Sequence, residues 1–195
     1  MAKLTGPLMS LDARGSIAQT ITFSGWKGLK IARQRVIPAN PNTADQQAQR
    51  GKMTTLVGYW HSDGYTAADK SAYDLWASTF STPQSGFNAF IANGMSVLLE
   101  GDTWAALTDG TVSNEDASSF DFALDCGADK TYKLYYGCTP TTMLNEVAGV
   151  FDTDHVDFDV SGLSASTKYY FYVIGTVADY DHQRTGIYTA ETAAS

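Results

Sequence analysis

Residues 37–43, with the sequence IPANPNT, separate the first part of the chain from the rest. Each of the two prolines fixes its own φ and moves the preceding residue out of the α region, so the backbone is extended here. Thr43 can then cap a helix, and Gln46 completes a capping box. Residues 1–36 contain too little apolar surface to form a core, whereas the residues that follow can form two. The sequence therefore predicts a tethered arm on a folded body.

The arm and the body carry opposite charge. Residues 1–52 contain eight basic and two acidic residues, a net charge of +6, whereas residues 53–195 contain five basic and nineteen acidic residues, a net charge of −14. Regions of opposite charge can attract each other between copies of one chain. Nucleic acid is a second class of partner for a basic arm. A solvated surface that binds nothing is the third interpretation.

The pattern of apolar residues changes twice along the chain. Residues 1–42 combine β propensity with glycine turns and predict a hairpin of about 16–24 with 29–36, turning at residues 25–28. Residues 43–101 have helical spacing and predict three helices, over 43 to about 60, from 66 through Phe80, and over about 85–99.

Residues 102–195 show period-two alternation in four segments, which predicts an antiparallel β-sandwich. The expected fold class is therefore α+β, with a β-hairpin arm (1–42), a three-helix section (43–101) and a sandwich (102–195). Trp60, Trp76 and Phe90 are expected to form the core of the helices rather than a ligand cage.

The sequence contains no pattern typical of catalysis. Its three histidines have no nucleophile elbow or HExxH motif near them, and its two cysteines lack the spacing of a metal site. We therefore predict a non-enzymatic protein without metal or cofactor. The acidic segment 152–159 leaves open a calcium site, but its spacing departs from an EF-hand, and Asp157 and Asp159 on the solvated face of a strand are the favoured explanation. The sequence has no apolar run long enough for a membrane span and no apolar segment of a signal peptide near Met1.

The last ninety or so residues resemble a fibronectin type III domain. Leu163 precedes Tyr169 by six residues, as in the tyrosine corner of that family, and Phe171 and Val173 match inward residues of the same strand. Leu124 stands where the family usually has a tryptophan, so an immunoglobulin-like variant is the alternative. The resemblance implies a scaffold and no particular activity.

The first hundred residues resemble a group of tailed-bacteriophage and prophage proteins of mostly unassigned function. The matching positions are spread over the arm and the helical section: Gly15, Ser16, Ile17, Phe23, Ser24, residues 37–43, Gln46, Gln47, Arg50, residues 72–76, residues 85–90 and Asn93. This resemblance implies a structural role in a virion, as a capsid decoration, neck or tail component, after synthesis in the cytoplasm of the host bacterium.

We therefore expect a structural protein that forms homo-oligomers and contacts other virion proteins, and we do not expect nucleic acid to be its partner. The expected subunit contacts are aromatic and basic residues of the arm and first helix: Trp26, Lys27, Lys30, Arg33, Arg35 and Arg50. The alternative function is a surface module whose sandwich recognises a host glycan or protein. Its contacts would be Tyr170, Tyr172, Tyr180 and Arg184, of which the first two are expected on an outward face that the helices could also cover.

Overall fold

The computed structural model describes residues 3–4, 13–26, 29–37, 42–62, 64–101, 103–127, 130–177 and 180–194. Its contacts divide the chain into two compact units, Met1–Thr43 and Ala44–Ser195. The division falls next to the predicted end of the arm. It places the helices and the sandwich in one unit, and whether the three predicted domains fold independently stays a prediction.

The first unit is a small antiparallel sheet with the strand order β1-β2-β3-β4. Its strands are β1 (Lys3–Leu4), β2 (Ala13–Ile17), β3 (Ile21–Trp26) and β4 (Leu29–Gln34). The predicted strand over 16–24 is wrong, because a turn at residues 18–20 divides it. Ala18 and Gln19 both have positive φ there, at 47° and 58°, and the Thr20 N–H donates to the Ile17 carbonyl at 3.0 Å. The predicted pairing of this region with the strand after it is confirmed by the β3–β4 ladder.

The arm has no core of its own among its described side chains. Residues 15–17 and 22–24 are half-buried, and residues 18–21 and 31–37 are exposed. Val36 and Ile37 are 78% and 71% exposed. The described side chains of this sheet therefore contribute little apolar burial to its stability.

Three helices open the second unit: α1 (Ala44–Ser62), α2 (Ala67–Ser78) and α3 (Gly86–Glu100). Helix α2 begins with a capping box, in which Thr66 and Asp69 bond each other's backbone N–H groups. Helix α2 ends two residues before Phe80, which lies in the following turn and is 42% exposed. Among the described residues, no helix is long and apolar enough to cross a membrane.

An aromatic core holds the helices together. Trp60 is within 6 Å, centroid to centroid, of the rings of Tyr65, Tyr73 and Phe90. Phe90 is fully buried, and Trp76 packs against the edge of this cluster. The expectation that the large aromatic side chains of the helices form a core is thereby confirmed.

The sandwich consists of two antiparallel sheets, with strand orders β5-β6-β10-β9 and β12-β11-β7-β8, and with β13 also paired to β11. The strands are β5 (Leu107–Ser113), β6 (Ser119–Cys126), β7 (Thr131–Gly137), β8 (Asn145–Ala148), β9 (Val150–Asp152), β10 (His155–Ser161), β11 (Lys168–Val177), β12 (Tyr180–Arg184) and β13 (Tyr188–Glu191). This is the immunoglobulin-type arrangement A-B-E-D against G-F-C, with one added strand.

The alternation in the sequence matches the two faces of the sandwich. In β10, Val156, Phe158 and Val160 are buried, whereas Asp157 and Asp159 are exposed, as predicted. The tyrosine corner is also present, because the Ser164 N–H donates to the Tyr169 hydroxyl oxygen at 3.0 Å. The α+β fold with a fibronectin type III-like sandwich is therefore confirmed.

The last strand of the sandwich is broken in two. The sequence alone favours a loop over residues 179–184 followed by one strand over 185–192. In the structure, β12 and β13 both pair with β11, and residues 185–187 separate them. The interruption has a physical cause, because the Ile187 N–H donates to the Ala72 carbonyl of α2 at 2.9 Å instead of to the sheet.

Candidate interaction surfaces

A buried carboxylate fixes the helices to the sandwich. Asp69 is completely buried and accepts five hydrogen bonds. Within its own helix it accepts from the N–H and hydroxyl of Thr66, at 2.8 and 2.9 Å. From the sandwich it accepts from the N–H groups of Asp109 and Gly110, both at 3.0 Å, and from the Tyr188 hydroxyl at 2.6 Å. The capping residue is therefore also the main polar link between the two layers.

The donors from β5 come from an irregularity in that strand. Its register with β6 shifts between Thr108 and Thr111, and Asp109 has a φ of 52°. This bulge turns two consecutive N–H groups toward Asp69. The second of them belongs to Gly110, where a Cβ would overlap the ring of Tyr188. The Asp-Gly pair at positions 109 and 110 is the local signal in the sequence for an irregularity here.

Arg184 lies at the same junction, not in an exposed loop. Its guanidinium carbon is 3.8 Å from the ring centroid of Tyr172 and 4.2 Å from that of Trp76. Its backbone carbonyl accepts from the Tyr73 hydroxyl, and its N–H donates to Asn93. Burial lowers the pKa of Arg184 to about 10, so that its side chain remains cationic at neutral pH. The Nη2 atom is buried without a hydrogen-bond partner.

A cleft of about 470 Å³ borders this stack. It lies between the end of α2, the connection from β7 to β8, and strands β11 and β12, and it is lined by Trp76, Thr79, Phe80, residues 140–144, Tyr172, Arg184 and Ile187. Leu144 is 84% exposed at its edge. Two of the predicted partner contacts, Tyr172 and Arg184, are thus brought together beside one cleft.

The other two predicted partner contacts lie elsewhere or outside the described side chains. Tyr170 is half-buried, and the ammonium of Lys168 is 5.6 Å from its ring centroid. Tyr180 is the first residue of β12, and its side chain is not among those described. Tyr172 stacks on Tyr135 at 5.5 Å, so the tyrosines of this sheet are partly covered by each other and by the helical residue Trp76.

The predicted subunit contacts stay predictions. Arg33 in β4 and the following Arg35 are exposed, and so is Arg50 on α1. Trp26 ends β3 and Lys30 lies in β4, but the side chains of both are outside the description. Lys27 lies outside the described residues altogether.

The outward face of sheet β5-β6-β10-β9 is acidic. Asp157 and Asp159 extend from β10, and Asp159 is directly opposite Asp121 of β6. Partial desolvation, followed by the charges of Asp109 and Asp154, raises the pKa of the neighbouring Asp125.

His155 is the basic residue on this face. Its Nδ1 is 3.3 Å from Asp154, and its Nε2 is 3.4 Å from Asp157. The hydrogen bond with Asp154 is the main cause that raises the pKa of His155. The raised pKa of His155 is the response expected of a basic group beside carboxylates.

The described residues contain no group of three or more His, Cys, Asp or Glu side chains that could hold a metal ion. No such group therefore supports a calcium site in segment 152–159. Its exposed aspartates lie on the solvated face of a strand. Cys126 is buried and Cys138 is exposed, and the two do not form a disulfide bond.

No protein-family model matches the sequence, and no curated protein is similar to it. Solved structures that resemble the chain include fibronectin type III domains. The FN5 domain of Drosophila Lar is 19% identical with a TM-score of 0.37, over 46% of this chain and 96% of that domain. The sixth fibronectin type III domain of human fibronectin type III domain containing protein 3 is 18% identical with a TM-score of 0.39, over 49% and 92%.

A bacterial structure is also similar to the chain. The sensor domain of the anti-sigma factor RsgI4 from Pseudobacteroides cellulosolvens is 13% identical with a TM-score of 0.36, over 48% of this chain and 98% of that domain. The assignment of the fold rests on the strand order and tyrosine corner of the chain itself. A sandwich of this class does not by itself identify an activity or a ligand.

Proposed function

We propose that the chain is a non-enzymatic structural protein of a tailed-bacteriophage virion, in the capsid decoration, the neck or the tail, and that it assembles through its basic arm. The observation that carries the proposal is the contrast between the two units. Ala44–Ser195 contains two hydrophobic cores, whereas the described side chains of the arm include none that is buried. A sheet without a core gains stability from a second surface.

Charge identifies the kind of surface that the arm would bind. Met1–Thr43 contains six basic residues and one acidic residue, a net charge of +5, and the rest of the chain has a net charge of −13. Like bodies repel each other, but the arm of one copy attracts the body of the next. Exposed apolar residues next to the arginines, Val36 and Ile37, would add burial to this attraction. The resemblance of the first hundred residues to phage proteins supports the virion as the place of assembly.

The test compares the molar mass of the full chain with that of residues 44–195, by light scattering at low ionic strength. We expect the full chain to form species well above its monomer mass of 21.1 kDa, and the truncated body to be a folded monomer. A body that assembles as well as the full chain would refute the role of the arm.

The assignment to the virion has a separate test, mass spectrometry of purified phage particles. We expect the protein to be found in the particles. Its presence in the lysate together with its absence from the particles would contradict the assignment.

A second candidate function is a surface module that binds a protein through the cleft beside Arg184. The cleft favours a protein over a glycan, because Arg184 covers one face of Trp76 and of Tyr172, and Tyr135 stacks on Tyr172 as well. Sugars bind to free ring faces, whereas the exposed Leu144 suits an apolar side chain. Substituting Leu144→Asp should then abolish adhesion of the chain to host cells without changing its molar mass; unchanged adhesion would refute this function.

A further inference from the structure

The exposed face of β10 carries an arrangement of charge that costs stability. Asp157 and Asp159 lie two residues apart on it, and Asp159 is paired directly with Asp121 of the neighbouring strand. Like charges at directly opposite positions of a sheet are destabilising. The side chain of Asp157 is 59% exposed, so this face is open to a partner in the single chain.

The arm carries the complementary arrangement. Arg33 and Arg35 are exposed and lie two residues apart in extended backbone, which continues past the end of β4 because the Arg35 N–H donates to the Thr20 carbonyl at 2.7 Å. Residues two apart on a strand extend from the same face, about 6.6 Å apart. Asp157 and Asp159 have the same spacing on β10, so two arginines of one strand can meet two aspartates of another at the same time.

The chemistry of the two side chains suits such a contact. Arginine forms two parallel hydrogen bonds with a carboxylate, which fixes orientation as well as attraction. An arginine placed beside the Asp159–Asp121 pair would also reduce the repulsion between these two carboxylates.

We propose that Arg33 and Arg35 of one copy bind Asp157 and Asp159 on the outward face of β10 of a second copy. This inference rests on the proposed function, since it names the surface to which the assembling arm binds. Each copy then offers one arm and one acidic face, so that contacts run from copy to copy in a head-to-tail manner.

The test uses two charge-reversed full-length chains, Arg33→Asp with Arg35→Asp, and Asp157→Arg with Asp159→Arg. In each variant alone, the arm and the face of β10 carry charge of the same sign. Each should therefore be a monomer by light scattering. Mixed in equal amounts, they should assemble, because the acidic arm of the first fits the basic face of the second, and the reverse contact has the natural charges. A matched control, Glu146→Arg with Glu191→Arg, changes the net charge equally at exposed positions of the other sheet and should assemble like the natural chain.

The outcomes separate this inference from the proposal beneath it. If the arm variant is monomeric but the β10 variant assembles normally, the arm drives assembly and our choice of its docking surface is wrong. If both are monomeric and their mixture is too, the pairing between arm and face is refuted. If the natural chain never assembles, or the arm variant assembles like it, the proposed function fails together with this inference. Thermal melting of each variant establishes that it is folded.

Discussion

At the scale of single residues, Asp69 has two functions of which its sequence context predicts only one. The spacing Thr66 to Asp69 indicates a helix cap, and the structure confirms the cap. The same carboxylate also accepts bonds from Asp109, Gly110 and Tyr188 of the sandwich. Those donors are 40 or more residues away, and local spacing contains no information about contacts at such a distance.

Substituting Asp69→Ala should lower the free energy of unfolding by roughly 3 kcal/mol, because five donors lose a charged acceptor in a buried place. The measurement is denaturant unfolding of the full chain. Asp74→Ala is the matched control, since this exposed carboxylate of the same helix accepts one described bond, from the Gly86 N–H at 2.8 Å. The control should cost about 1 kcal/mol. Equal effects of the two substitutions would contradict the role of Asp69 as the link between the layers.

At the scale of elements, helix α2 accepts a backbone hydrogen bond from the segment that interrupts the last strand of the sandwich. The Thr185 N–H still donates to the Val173 carbonyl of β11 at 3.0 Å, whereas the Ile187 N–H donates to the Ala72 carbonyl of α2 at 2.9 Å. Between them the chain approaches α2 so closely that a Cβ on Gly186 would overlap the backbone of Ala72 and Tyr73. Helix and strand therefore form one packed unit at this point, and the position requires glycine.

Substituting Gly186→Ala should push α2 away from the sandwich and destabilise the chain by about 3 kcal/mol, as expected of an overpacked site. The control Gly51→Ala places the same methyl group on the exposed face of α1, where nothing lies within 4 Å. It should stabilise the chain by about 0.5–1 kcal/mol, because alanine is the better helix former. Tm values from thermal unfolding of both variants provide the check. A Tm for Gly186→Ala that equals the natural value would refute the close contact.

The three helices and strands β6, β7, β10 and β11 were predictable from the sequence, whereas several irregularities of the chain were not. Alternation in β10 and the tyrosine corner depend on local patterns, so both were predicted. The turn at residues 18–20 uses alanine and glutamine at positive φ, which no local preference indicates. Arg184 packs against Trp76, a residue of another element. A local sequence pattern does not show this contact, so Arg184 was expected to contact a partner instead.

At the scale of the whole molecule, the two units differ in how many of their described side chains are buried. Helices and sandwich have buried cores joined by Asp69 and by the backbone of α2, whereas the described side chains of the arm are exposed or half-buried. In the proposed function, the arm of one copy binds the body of the next, and the charge contrast selects this contact.

The most direct test of this account is the molar mass of the full chain at low ionic strength and at about 1 M salt, where the Debye length falls to about 3 Å. We predict large species at low salt that revert to a 21.1 kDa monomer at high salt, because the contact between arm and body is mainly electrostatic. A chain that is monomeric at both ionic strengths would contradict self-assembly. Large species that persist unchanged in 1 M salt would contradict the electrostatic role of the arm.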